Sequence, residues 1–364
     1  MGFLAYLAVL VWTPQLGRRT VWIAIVLFLA AFATLPPILS HDVYSYVDYA
    51  RLGVLHGLDP YVHPPSSVPG DAAFAHVTWT EATSAYGPLF TLATYPLAWL
   101  PLDAAVHVLK VASAAAVLGT ALLVARLAPG RGVNPTRAAA FVGLNPLVLV
   151  HVVGGPHNDS IAVLLTTLGI AALLTTRPLA AGATLAAAAA TKASAAITLP
   201  FALLATWGPT GLKRDISTRF RPVGGLLLGG AGAVVVIGGA AWVGFGWDWL
   251  HAFRLAGENQ GRTSYMSIPI TVARLTGLDP GMTRFAFGVL YAALVAHLLL
   301  WTARGGDWLR ASAWATTGLL LATAWLLPWY LLWALPQAAL SRDRLLQLLV
   351  LGLTAYQLGA RIPL

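Results

Sequence analysis

Residues 222–246, PVGGLLLGGAGAVVVIGGAAWVGFG, run for 25 positions without one charged side chain. About twenty apolar residues at the rise of an α-helix cross the hydrocarbon layer of a bilayer, so this stretch reads as a transmembrane helix. Comparable runs lie upstream at 2–16, 20–39, 103–127, 137–153, 160–176, 178–191 and 193–207, and downstream at 282–303, 308–327, 328–341 and 345–360. Together they make about twelve spans. None alternates apolar and polar residues as barrel strands do, and helices satisfy their own backbone hydrogen bonds in lipid. Composition agrees: 58% of the 364 residues are hydrophobic and 10% charged, more apolar surface than a soluble domain of this length can hide. The expected fold is an all-α polytopic membrane protein, one helical bundle over 1–364 with no separate soluble domain. The opening MGFLAYLAVLVWTPQLGRR has neither the n-region nor the cleavage site of a signal peptide, and reads as a first, short membrane helix.

Two places in this threading need a decision. Lys192 interrupts the apolar run 178–207, and a charge at the bilayer centre is expensive, so two short helices are expected rather than one long span. The stretch 85–101, AYGPLFTLATYPLAWLP, is apolar as well, but counting it as a span inverts everything after it. Treated as a re-entrant or interfacial helix, it leaves Arg18, Arg19, Arg126, Arg131, Arg137, Arg177, Lys213, Arg214, Arg219, Arg221, Arg304, Arg310, Arg342 and Arg344 on one side, the cytoplasmic side by the positive-inside rule. Those fourteen cations face only Asp215, Asp307 and Asp343, giving +11; the eight remaining cations and ten acids give −2, and the sum is the net +9. The basic balance therefore reports topology and not a nucleic-acid partner. Ten of thirteen acids and eight of nine histidines fall on or near the outer face, where the long segments 40–84 and 247–281 can build a site.

The segment LSHDVYSYVDYARLGVLHGLDPYVHPP, 39–65, predicts a short helix over 42–56 lying along the membrane surface. Asp42 or Ser40 at its start can cap it, and Asp42 can take a proton from an acceptor hydroxyl; a cap and a base are compatible. Asp48 can pair with Arg51 at i,i+3 or serve the site. Gly57 and Pro60 mark the end of the helix, and Asp59 reads as structural. Tyr86 is an interfacial anchor or a ligand for phosphate or sugar. In LNPLVLVHVVGGPHNDSIAVLL, 144–165, Gly154 and Gly155 permit close backbone approach, and Asn158 or Asp159 can cap the next helix, whose N-terminus favours an anion. Three adjacent polar residues, His157, Asn158 and Asp159, exceed what a turn needs. Lys192 either snorkels to the interface or faces an acidic ligand. In RLAGENQGRTSYMSIP, 254–269, Arg262 can clamp a phosphate and Glu258 can orient a sugar hydroxyl; a solvated loop carrying Asn259 and Arg254 is the bland reading.

No cysteine, D-x-D pair, H-E-x-x-H or Walker-type loop is present, so thiol, zinc, nucleotide-sugar and ATP chemistry lack support and no metal or nucleotide cofactor is expected. A lipid-linked donor arriving sideways from the bilayer suits reactive groups gathered at one face.

The segments HDVYSYVDYARLGVLHGLDPY, SAYGPL, GGPHNDS, AATKASAAITLPF and LLPWYLLWALPQ occur in this order between about residues 20 and 345. Together they resemble the GT-C class of polyprenol-phosphate-mannose-dependent mannosyltransferases, most of all the actinobacterial α-1,6-mannosyltransferases of lipomannan and lipoarabinomannan synthesis. The resemblance implies a GT-C-like bundle in the plasma membrane. It also implies inverting transfer of mannose from a polyprenyl-phosphate donor to a glycolipid or polysaccharide acceptor outside the cytoplasm. Asp42 falls where the family has an essential aspartate and is carried over as general base, with Asp48 second and Tyr46 in the D-x-Y-x-Y element beside it. His157, Asn158 and Asp159 match the family's H-N-D element, expected near sugar or acceptor, and Lys192 matches a family lysine. Transfer of arabinofuranose or glucose, a flippase for polyprenol-linked sugars, and a scaffold subunit of an envelope-synthesis complex are the competing readings.

Overall fold

A computed structural model of the chain describes residues 2–207, 216–258 and 261–359; Lys213, Arg214, Asp215 and Asn259 lie outside the described residues. Among those described, all regular elements are helical. In chain order they are α1 (Gly2–Trp12), α2 (Arg18–Thr34), α3 (Asp42–Leu55), α4 (Pro88–Thr94), α5 (Leu102–Leu127), α6 (Pro135–Gly143), α7 (Asp159–Leu174) and α8 (Pro178–Thr191). They continue as α9 (Leu199–Trp207), α10 (Ile216–Phe245), α11 (His251–Glu258), α12 (Ile268–Thr276), α13 (Pro280–Ala303), α14 (Trp308–Ala322), α15 (Leu335–Leu340) and α16 (Arg344–Gly359).

Local chemistry sets many of these boundaries. Asn134, Asp279 and Asp307 accept backbone N–H groups of the first turns of α6, α13 and α14, and Pro135, Pro178 and Pro280 occupy first positions where no N–H is needed. Lys192 takes an extended backbone (φ −154°, ψ 122°) between α8 and a 3-10 turn at Ala193–Thr198, the break expected of it.

Three helices are long and apolar enough to cross a membrane, Leu102–Leu127, Pro222–Phe245 and Pro280–Ala303. In the last two only 17% and 11% of the most apolar window is buried, so their side chains point outward and need lipid as solvent: the chain is a membrane protein. Other expected spans are shorter or interrupted. The run 137–153 is broken around Asn145 and Pro146 and finishes as a π-helical turn, Val148–Val153; the run 308–327 leaves the helix after Ala322; and 328–341 is a 3-10 turn, Pro328–Trp333, followed by α15. Proline removes a donor at each restart, which apolar periodicity alone does not register.

The core joins α1, α2, α5, α6, α7 and α14–α16 around Ile25, Val117, Phe141, Leu309 and Leu320. Helix α8 packs on α10 at backbone distance: a Cβ at Gly182 meets the Leu226 carbonyl at 1.9 Å, and one at Gly229 meets that of Leu179 at 1.9 Å. Three of the cations assigned to one side reach polar partners assigned to the same side. Arg131 pairs with Asp307, Arg310 Nε lies 2.7 Å from Asp343, and Arg137 donates to Gln347 at 3.1 Å.

Helix α3 begins where expected, but its side chains are covered by the rest of the chain instead of standing open. Val43, Ser45, Tyr46, Val47, Asp48, Tyr49, Ala50 and Leu52 are all buried. The chain after it folds back as a cover: Tyr44 stacks on His76, Tyr49 Oη donates to the Ala82 carbonyl (2.7 Å), and Arg51 Nε meets Asp71 Oδ1 (2.7 Å). Gly57 (φ +66°) ends the helix in the left-handed region as its sequence position implied, and Asp59 accepts the Tyr61 N–H within its turn. Segment 85–101 is α4 continued by a 3-10 turn, Tyr95–Trp99; seven α-helical residues rise about 10 Å, a third of a bilayer core. It wedges against α8 through Gly87, whose added Cβ would meet the Ala190 carbonyl at 2.1 Å.

Candidate active site

Positions 42, 45, 46 and 49 of α3 fall on one helical stripe, i, i+3, i+4 and i+7, and all four side chains line a cavity of about 740 Å³. Its other walls come from the turn at His157–Asn158, the break at Lys192, the aromatic segment Trp325–Trp333, Tyr86 and Arg262. Six residues from Asp42, Asp48 points off this stripe and is absent from the cavity wall.

Asp42 is the first residue of α3 and does not cap it; instead the Ser40 hydroxyl accepts the Asp42 N–H at 3.3 Å. Its carboxyl Oδ2 stands 3.6 Å from His157 Nδ1 and keeps 19% exposure, toward the cavity. Burial pushes its pKa up to about 6; Asp159 adds to the rise, while Lys192 and a hydrogen bond from Trp79 oppose it. Asp42 is therefore ionised at neutral pH and more basic than an ordinary carboxylate. The His157 ring stacks on Trp329 (3.7 Å between centroids, 16° between planes). Burial first, then Lys192 and His151, hold its pKa well below the usual imidazole value, so it is neutral. His157 Nε2 and both side-chain polar atoms of Asn158 are buried without a hydrogen-bond partner among the described residues. Buried polar groups left unmatched are costly, and these stand beside a cavity that can supply a ligand's hydroxyls.

Asp159 is fully buried beneath the wall and caps nothing: Oδ2 binds Lys192 Nζ at 2.7 Å and Oδ1 accepts the Trp333 indole N–H at 2.6 Å. Lys192 does not snorkel outward. Its ammonium lies 5.1 Å from the Tyr330 ring centroid and 5.5 Å from that of Trp333, and it lines the cavity. Tyr46 and Tyr86 meet edge to face at 4.7 Å, and burial raises both hydroxyl pKa values, keeping them protonated donors. Arg262 is held over Trp79 (5.2 Å) and Trp325 (5.8 Å), and no carboxylate pairs with it among the described residues.

The structure thus brings together Asp42, Tyr46, Tyr86, His157, Asn158, Lys192 and Arg262, with Asp159 behind Lys192. It does not bring in Glu258, which is exposed and pairs with Arg254 at 3.4 Å, nor Asp48. The expected Asp48–Arg51 pair is replaced, because Arg51 reaches Asp71 and the Ala98 carbonyl. Asp48 is left buried with Oδ2 unpartnered, and burial, reinforced by Asp71, raises its pKa to about 7. Between pH 4 and 7 the folded state then holds a proton that the unfolded state has lost, so folding stability falls as pH rises through that window. Asp48→Asn should raise the thermal unfolding midpoint above pH 7, by on the order of 2–4 kcal/mol in stability, with the gain vanishing toward pH 4. An equal shift at all pH values would contradict this.

Sequence reasoning missed Trp79, Trp329, Tyr330 and Trp333 as site residues. For Trp329 and Trp333 the signal was their four-residue spacing with Trp325; Trp79 and Tyr330 had no such mark.

An all-helical membrane protein with a carboxylate, a neutral imidazole and two cations around one cavity is the class that fold and site define. Comparison gives the family. The model for the alpha-(1->6)-mannopyranosyltransferase N-terminal domain matches residues 1–208. Alpha-(1->6)-mannopyranosyltransferase A of Mycobacterium tuberculosis is 32% identical over 339 residues, covering 86% of this chain and 64% of that protein. Its namesake in Corynebacterium glutamicum is 30% identical over 251 residues (65% and 50%), and a probable alpha-(1->6)-mannopyranosyltransferase of Mycolicibacterium smegmatis is 30% identical over 359 residues (84% and 62%). The chain belongs to the alpha-(1->6)-mannopyranosyltransferase family. It spans between half and just under two thirds of the length of these curated relatives. No solved structure matches it.

Proposed function

We propose that the chain is an inverting mannosyltransferase that moves mannose from a polyprenyl-phosphate-mannose to a glycolipid or polysaccharide acceptor in α-1,6 linkage. The bundle crosses the plasma membrane about twelve times. Its 85–101 segment dips into the membrane, and the cavity opens on the extracytoplasmic side, the side poor in Arg and Lys. The observation that carries the reading is a single cavity with a basic carboxylate, Asp42, on one wall and two cations, Lys192 and Arg262, on others.

In the transfer, the acceptor hydroxyl oxygen forms a bond to the anomeric carbon from the face opposite the phosphate, and its proton passes to Asp42. The bond between anomeric carbon and phosphate oxygen breaks with its electron pair on the phosphate. Arg262, free of any carboxylate partner among the described residues, takes the larger share of that charge; Lys192 is already compensated by Asp159. Asn158 and the neutral His157 form part of the wall against which the sugar rests. The cations suffice for the leaving group, so the step needs neither metal nor nucleotide.

The test is transfer of radiolabel from mannosyl phosphopolyprenol to an α-mannan acceptor by the full chain in vesicles. A new glycosidic bond supports the reading; movement of the intact lipid-linked sugar without one overturns it. Because the base must be ionised, kcat/KM should fall about tenfold per unit below pH 6 and level off above it. His157, whose pKa burial holds well below the usual imidazole value, is already neutral where this limb lies.

A further inference from the structure

Lys110 lies within α5 and is fully buried. No carboxylate pairs with it among the described residues. Burying an ammonium without a counter-charge is costly, and here three backbone carbonyls stand in for one. Nζ donates to the Gly154 carbonyl at 2.9 Å and lies 3.4 Å from that of Val153 and 3.5 Å from that of Pro36. Those oxygens belong to two segments far apart in sequence. Pro36 lies six residues before Asp42, and Gly154 three before His157.

The two segments press together along this line. The Ile38 N–H donates to the same Gly154 carbonyl at 3.1 Å, and one turn along α5 Ser113 Oγ donates to the Val152 carbonyl at 2.9 Å. A Cβ added at Gly155 would meet the Ile38 carbonyl at 2.9 Å. Neither segment is a regular α-helix there, so the Ile38–Gly154 hydrogen bond and the Lys110 ammonium are the polar ties between them: one is the irregular link from α2 to α3, the other the end of the π-helical turn.

We propose that Lys110 is a positioning residue for the transfer reaction, its ammonium clamping the link that leads into α3 to the turn that leads into α7, and thereby setting the Asp42 carboxyl against the His157 ring. The proposal rests on the reading of Asp42 as the base.

The test uses the full chain with Lys110→Met, and with Lys110→Gln, whose uncharged amide is one atom shorter and turns an acceptor oxygen toward the carbonyls that the ammonium held. Hydrogen exchange should rise in residues 36–42 and 150–158 in both variants and stay unchanged elsewhere. In the transfer assay kcat should fall about ten- to a hundredfold with KM little altered. The acidic limb of kcat/KM should move down from about pH 6, because a loosened junction admits water to Asp42. A variant that merely unfolds in part scales the pH profile without moving it. Unchanged exchange in the two segments, or a limb still near pH 6 with activity tracking the folded fraction, overturns the clamp. The exchange measurement needs no substrate, so a wild-type chain without transfer would defeat the functional reading and leave the clamp separately tested.

Discussion

Asp42→Asn should fold as the wild type does and lose about 10²–10⁴-fold in kcat/KM for mannosyl transfer. The amide keeps the shape of the carboxyl but cannot accept the acceptor's proton. Structural contacts survive the change: the Ser40 hydroxyl binds the backbone N–H of residue 42, the Trp79 indole can donate to an amide oxygen, and the neutral His157 at 3.6 Å forms no ion pair to be lost. Burial already disfavours the ionised carboxylate, so a neutral side chain costs the fold little. The measurement pairs thermal unfolding in detergent with transfer from radiolabelled donor. Unimpaired transfer by the amide variant would sink the assignment of Asp42 as base, whatever became of the fold.

Local periodicity made part of this site legible. Asp42 was named from its place at the helix start and Tyr46 from the family resemblance, Tyr49 one turn on was not, and the surplus of polar residues at His157–Asp159 did mark a wall of the cavity. The break at Lys192 was visible because a charge inside an apolar run has few alternatives. What stayed hidden depends on contacts between distant residues. Arg51 ignores Asp48 for Asp71, twenty positions away, because the 56–84 segment folds over α3 and buries a helix expected at the surface. Lys110 counted as one more outer cation, since its carbonyl partners lie 44 and 74 residues off. Trp329 and Trp333 were absorbed into an apolar span, yet Pro328 opens a 3-10 turn that aims one ring at His157 and the other at Asp159. Glu258 was credited with a role that its exposed helix end does not offer.

Lys192→Met should be the more damaging half of the Lys192–Asp159 pair. Asp159 is fully buried, so removing the ammonium at 2.7 Å strands a carboxylate with only the Trp333 indole as donor, a loss of about 3–5 kcal/mol. Asp159→Asn leaves a lysine whose side chain keeps 20% exposure into the cavity, where it can be solvated, and should cost less. The double variant Lys192→Met/Asp159→Asn removes both charges and should regain much of the stability lost by Lys192→Met alone. Unfolding midpoints of the four proteins at pH 7 test the cycle, and additive losses would deny the coupling. The same pair acts on Asp42 with opposite signs, for Lys192 lowers the Asp42 pKa and Asp159 raises it. In the Lys192→Met protein that folds, the acidic limb of kcat/KM should therefore move up from about pH 6, and in Asp159→Asn it should move down. Shifts of opposite direction from two neutralising substitutions at one ion pair cannot come from general loosening of the fold, which would move both the same way.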